Sequence, residues 1–206
     1  MTGRRKRSAR GKKTRKAGEP EKAARPVSRG GSGVEVLGWT ILAHPLFLAQ
    51  LEKLVVAAEG GPPDSVGGGG PNAKLLAHLV DLAFDKVPRD PGSPAYRHGG
   101  ALGDDRRNWF RAKTGNGRYR LFYRFQSSAR LIVYAWVDDE SSPRTYGSRT
   151  DAYSVFVRLL DAGNPPDDWD AIVVSASDPA NEARLRTLTD RKRSRRGPGG
   201  RKRQFR

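Results

Sequence analysis

The stretch from Asn108 to Phe125, N-W-F-R-A-K-T-G-N-G-R-Y-R-L-F-Y-R-F, constrains the fold more than any other part of the chain. Asn116-Gly117 accepts positive φ at both positions, as a tight type I′ turn requires, and it sits between two segments of alternating character. This predicts a β-hairpin. With those two residues as the loop, Lys113 stands opposite Arg120, Arg111 opposite Phe122 and Trp109 opposite Arg124. Side chains alternate along a strand, so Trp109, Arg111, Lys113, Arg118, Arg120 and Arg124 share one face. Phe110, Ala112, Tyr119, Leu121, Tyr123 and Phe125 share the other, which is apolar enough to lie on a core. Like charges placed opposite one another destabilise a sheet, so the cationic face wants an anion, an acidic partner or open water. A three-residue loop would flip the parity of one strand and scatter the cluster.

Charge divides the chain into three. The formal net charge is +17, yet residues 1–33 hold 12 Lys/Arg and 2 acids, and residues 182–206 hold 11 and 2. The middle, 34–181, has 16 basic and 18 acidic residues, net −2. Both ends lack the apolar residues needed to offset ordering entropy. The expected organisation is therefore a disordered basic N-terminal tail over 1–33, a folded domain over 34–181, and a disordered basic C-terminal tail over 182–206. Runs such as Arg4-Arg5-Lys6-Arg7 suit phosphate neutralisation, and equally a tail that only solubilises. Cysteine is absent, which rules out a disulfide framework and thiolate metal ligands. No apolar run resembles a signal peptide or a membrane span, so the expectation is a soluble, cytoplasmic protein without membrane contact.

Within the middle, Val34 to Leu42 reads as a first strand. Pro45 opens a helix carrying Leu46, Phe47, Leu51, Leu54 and Val55 at helical spacing. Pro71 opens a second helix, expected to end before Pro88. A loop with Ser93-Pro94-Ala95-Tyr96-Arg97-His98-Gly99 precedes the hairpin, and His98 beside a basic cluster is a candidate acid or base, or a loop residue with a packing role. Arg130 to Val137 is apolar on both faces, as in a covered central strand. It ends in Asp138-Asp139-Glu140, which suits a divalent metal, a solvated turn, or charge balance for nearby arginines. Thr150 or Asp151 caps a helix bearing Tyr153 in its first turn, and Trp169, Ile172, Val173 and Val174 form a last packing segment. The order implies a small α+β domain, its sheet mostly antiparallel and its helices packed on one face.

Several of these motifs resemble YhaV-type toxins, within the RelE-like ribonuclease superfamily. The resemblance is carried by Gly38-Trp39 with Ala43-His44-Pro45, by Ser93 to Gly99, by Gly117-Arg118-Tyr119-Arg120-Leu121-Phe122-Tyr123-Arg124, and by Arg144-Thr145-Tyr146-Gly147 through Thr150-Asp151-Ala152-Tyr153. It runs from about Leu37 to Trp169, and neither basic tail belongs to it. It implies a RelE-like domain and a toxin that cleaves messenger RNA, free or on the ribosome. It also implies neutralisation by a PrlF-type antitoxin and no cofactor or obligatory metal. The catalytic positions it implies are Arg111, Lys113 and Arg120, with Tyr153 and one further arginine, Arg144 or Arg149. His98, Trp109, Arg118, Arg124, Tyr146 and Arg149 are candidate RNA contacts. In such chemistry the RNA 2′-hydroxyl attacks the adjacent phosphate. Arg120 and Lys113 would stabilise the added charge, and crowded cations make Lys113 a candidate base. The residues alone also admit a non-catalytic RNA- or ribosome-binding protein, and a metal-dependent nuclease using Asp138, Asp139 and Glu140.

Overall fold

The computed structural model describes residues 33–60, 70–114, 117, 119–139 and 151–195. Its centre is a five-stranded sheet of β1 (Val34–Val36), β2 (Trp39–Ala43), β3 (Phe110–Thr114), β4 (Tyr119–Gln126) and β5 (Leu131–Val137), in the order β1-β2-β5-β4-β3. Only β2 and β5 run parallel. The α+β class and the mostly antiparallel sheet match the expectation. β5, wholly buried, is the central strand that its two apolar faces call for.

The hairpin register is the one set by an Asn116-Gly117 turn: Lys113 pairs with Arg120 and Arg111 with Phe122. Gly117 takes φ +80°, which a Cβ would oppose. The expected first strand, by contrast, is two. Leu37 and Gly38 both adopt positive φ and fold β1 back on β2, with Val36 opposite Trp39.

Helix α1 (Pro45–Glu59) begins with His44, whose Nδ1 accepts the Leu46 N–H at 3.3 Å. Burial holds the His44 imidazole down at about 4, so the ring stays neutral and the cap intact through the ordinary histidine range; the stability it contributes is complete above that range and is lost as pH falls toward 4. Helix α2 (Pro71–Asp81) does not stop before Pro88 as expected. A π turn over Leu82–Lys86 passes the Val87 N–H to the Leu82 carbonyl, and the chain continues into a short α3 (Val87–Arg89) containing the proline. The wide turn shifts the helical ladder just before the residue that cannot donate to it.

Helices cover both faces, not one. Against Phe110, Ala112, Leu121, Tyr123 and Ile132 lie Phe47, Leu48 and Leu51 of α1, Leu79 of α2, and Leu185 and Leu188. Against Trp109, Phe122, Val133 and Trp136 lie Phe156 and Leu160 of α4 (Ala152–Asp161) and Trp169, Ile172 and Val173 of α5 (Trp169–Ala176). Phe122 stacks on Phe156 with centroids 4.2 Å apart. The parity of β4 places Phe122 on the same face as Arg120, and one aromatic that large recruits a helix.

The C-terminal boundary also moves. The chain past Asn181 is not a tail at its start: α6 (Pro179–Arg195) is a continuous helix with Leu185 and Leu188 buried. Arg184 grips Glu52 of α1 through two 2.8 Å hydrogen bonds. Two leucines three residues apart are enough to dock an otherwise charged helix once α1 offers them a wall. Residues 1–32 and 196–206 of the expected tails lie outside the described residues.

Candidate active site

The register builds the site row by row. β3, β4 and β5 set Lys113, Arg120 and Asp138 side by side, and the next row inward is Arg111, Phe122 and Trp136. A β-bulge between Phe122 and Tyr123 shifts the β4–β5 pairing by one residue, and beyond it Arg120 meets Asp138. The Asp138 N–H donates to the Arg120 carbonyl at 3.2 Å. In return the Arg120 N–H donates to Asp138 Oδ1, and Arg120 Nη1 lies 3.7 Å from Asp138 Oδ2.

Both members of this pair are buried, Arg120 at 4% exposure and Asp138 at 3%. Burial pushes the Asp138 carboxyl up to about 7, against the pull of the Arg120 N–H and guanidinium and with Asp139 adding to the rise. Of the three roles open to Asp138, charge balance for an arginine is the one the geometry realises. Glu140, the third acid of the Asp138-Asp139-Glu140 run, lies outside the described residues, and among the described residues no three His, Asp or Glu side chains group so as to hold a metal ion.

Tyr153 closes the site from above. Asp151 caps α4 by accepting the Tyr153 N–H at 3.0 Å, which fixes that residue in the first turn. Its ring stands edge-on to Phe122, centroids 5.7 Å apart, and the Arg120 guanidinium carbon is 5.6 Å from the ring centre. Arg111 Nε donates to the Tyr153 hydroxyl at 2.7 Å, and Arg111 Nη1 reaches the Ala95 carbonyl at 3.3 Å. Two strands and one helix therefore bring four side chains together, and the Pro94–Tyr96 turn adds a backbone carbonyl. Arg111 is half-buried and Lys113 exposed, so these two present the positive charge outward while Arg120 supplies it from beneath.

Other expected contacts fall elsewhere. Trp109 is fully buried, donating Nε1–H to Asp167 Oδ1 at 2.6 Å, and does not present a stacking face to RNA. Arg124, also buried, donates to the Asp167 carbonyl at 2.6 Å and lies between Trp109 and Trp169, so it holds the α4–α5 connection and not a phosphate. Arg106 adds Nη2 to Asp161 at 2.5 Å and Nε to Asp167 at 3.2 Å. His98 is buried too. Its Nδ1 accepts the Leu102 N–H at 3.4 Å, which leaves Nε2 as the donor to the Arg106 carbonyl 3.0 Å away. Burial lowers its pKa, and the Arg111, Arg97 and Arg107 charges act the same way. With both ring nitrogens engaged, it organises the loop that positions Arg111. The open cationic face thus shrinks to its outer end. Arg118, Arg144, Tyr146 and Arg149 lie outside the described residues.

Sequence reasoning missed Asp167, which ties Arg106 and Trp109 to the α4–α5 connection. Its only signal was an acidic pair following Pro165-Pro166.

Residues 41–177, two thirds of the chain, match the family model described as a toxin with endonuclease activity, of toxin–antitoxin system. The chain belongs to the YhaV toxin family. It is 40% identical over 141 residues to the ribonuclease toxin YhaV of Escherichia coli K12 and to toxin YhaV of E. coli O6:H1 strain CFT073. That overlap covers 66% of this chain and 91% of each relative. Among solved structures, the toxin–antitoxin complex RelBE2 of Mycobacterium tuberculosis matches with a TM-score of 0.33 and 24% identity, over 50% of this chain and 91% of that one. Family membership makes this toxin an endonuclease with an antitoxin counterpart. Among the described residues no helix is long and apolar enough to cross a membrane.

Proposed function

We propose that the protein cleaves messenger RNA, free or on the ribosome, by attack of a ribose 2′-hydroxyl on the adjacent phosphate. The 2′-oxygen forms a bond to phosphorus while the bond to the 5′-oxygen breaks, leaving a cyclic phosphate. One proton leaves the nucleophile and one reaches the departing oxygen. The protein's part is to hold the phosphate in line and to stabilise the charge added to it; electrostatic stabilisation of that kind commonly supplies most of the rate enhancement. Arg111 and Lys113 are the outward-facing cations for that phosphate. Arg120 acts from beneath as a buried charge, and Tyr153 offers a hydroxyl for proton transfer, with Arg144 or Arg149 from the preceding segment completing the set.

The observation that carries this reading is the junction of Arg111, Arg120 and Tyr153, in which the phenol oxygen is gripped by one guanidinium while the ring faces the other. A protein that merely binds RNA has no need to fix a hydroxyl in this way. Tyr153→Phe removes the hydroxyl and leaves the ring packing on Phe122. Cleavage is expected to fall on the order of 10²-fold, the scale of one acid–base group, with a stability cost of about 1 kcal/mol for the lost hydrogen bond. Activity within twofold of wild type, measured in single turnover, would remove Tyr153 from the mechanism.

The antitoxin we assign is of the PrlF type, presenting acidic or aromatic groups over Arg111 and Lys113. A complex that leaves both side chains open contradicts that assignment.

A further inference from the structure

The part of the fold that carries the site, up to the first turn of α6, has no excess of positive charge. Residues 34–181 sum to −2, so the excess positive charge of the chain sits outside them. An RNA-cleaving enzyme with such a body depends on its appendages for long-range capture.

One appendage is built into the fold. α6 begins two residues beyond the matched family region and packs on α1, β1 and β2. Leu185, Leu188 and the Arg184–Glu52 pair fix its first half. Its apolar residues end at Leu188, yet the helix continues to Arg195 through Arg191, Lys192 and Arg193. Arg186 meanwhile reaches the Gly33 carbonyl at 3.5 Å, immediately after the basic N-terminal sequence. The start of the described chain and the first half of α6 therefore meet beside β1. The hairpin forms the opposite edge, four strand spacings or about 19 Å away.

We infer that α6 is a phosphate-binding arm for the backbone of single-stranded RNA, docked on the sheet face opposite the cleavage site. This rests on RNA being the substrate. It gives the enzyme two points of contact: a non-specific electrostatic grip on a long strand, and the Arg111, Lys113 and Tyr153 site that acts on one phosphate. Short RNAs reach only the second.

The test uses the full chain and a variant in which Arg191, Lys192, Arg193 and Arg195 are all changed to Gln, leaving the docking residues of α6 intact. Binding is measured on a labelled single-stranded RNA of roughly 30 nucleotides, long enough to reach both contacts, fully 2′-O-methylated to prevent cutting, across a salt series. Cleavage is measured on an unmodified hexanucleotide. The slope of log affinity against log salt is expected to fall by about 2 to 3, from ~0.7 per phosphate contact, and affinity near 0.1 M salt to drop at least tenfold. Hexanucleotide cleavage and the melting temperature should change little. An unchanged slope and affinity overturns the inference, whatever happens to cleavage. A reduced slope with no cleavage by either protein upholds the arm and rejects the ribonuclease reading.

Discussion

Arg120→Ala should lower RNA cleavage on the order of 10²-fold, the scale seen when one preorganised electrostatic group is removed from an active site. The side chain is buried beneath Tyr153 and paired with Asp138, so the substitution acts on folding as well as on chemistry. Removing one member of a buried ion pair costs about 3–5 kcal/mol. The cost is smaller below pH 7, where Asp138 takes up a proton and no longer needs its partner. The double variant Arg120→Met with Asp138→Asn separates the two effects, because it removes both charges and keeps much of the volume. Its stability is expected to recover most of the loss while cleavage stays low. A double variant that cleaves within threefold of wild type would show that Arg120 matters only for folding.

Asp138→Asn carries the second large effect, which is read against pH. The folded carboxyl titrates near 7 against about 4 in the unfolded chain. Between these values the native state binds the extra proton. The stability that Asp138 contributes is therefore complete below the unfolded value and is lost as pH rises through 7, by up to about 4 kcal/mol. His44 and His98 run the other way, since burial depresses both and acidification costs stability. The wild-type profile mixes all three groups, and the difference between variant and wild type isolates one of them. That difference should shift in favour of Asp138→Asn as pH is raised from about 4 to about 8, in urea unfolding at each pH. A difference that does not vary with pH would mean that Asp138 titrates as an ordinary carboxyl.

Much of the site's framework was legible because local chemistry dictates it. Asn116-Gly117 suggests a tight turn between alternating segments, a turn there implies one register, and the strands pair in that register, Lys113 beside Arg120 and Arg111 beside Phe122. Tyr153 entered through the family pattern; its hydrogen bond to Arg111 joins residues 42 positions apart and no local signal carries it. The two covered faces were hidden by the arginines. Trp109, Phe122 and Trp136 share the cationic face, and three aromatics outweigh the charges that drew attention to it. Arg124 shows how a cation on such a face is accommodated, its guanidinium set over the rings of two tryptophans and donating to a backbone carbonyl. α6 escaped notice for a different reason. Its composition is that of a disordered segment, and only the wall offered by α1 makes Leu185 and Leu188 worth burying. The fate of Asp138 depended on a bulge in β4–β5 pairing, which no spacing rule announces.

The measurement that bears most directly on the proposed chemistry is a single-turnover cleavage of one RNA with and without a 2′-deoxy substitution at the ribose preceding the scissile phosphate, with the product ends identified. With the 2′-hydroxyl as nucleophile, no cut is expected at the substituted position, and the end released from the unmodified RNA carries a 2′,3′-cyclic phosphate. Cleavage of the deoxy-substituted strand at an undiminished rate would contradict this mechanism, because the nucleophile would then have to come from outside the RNA.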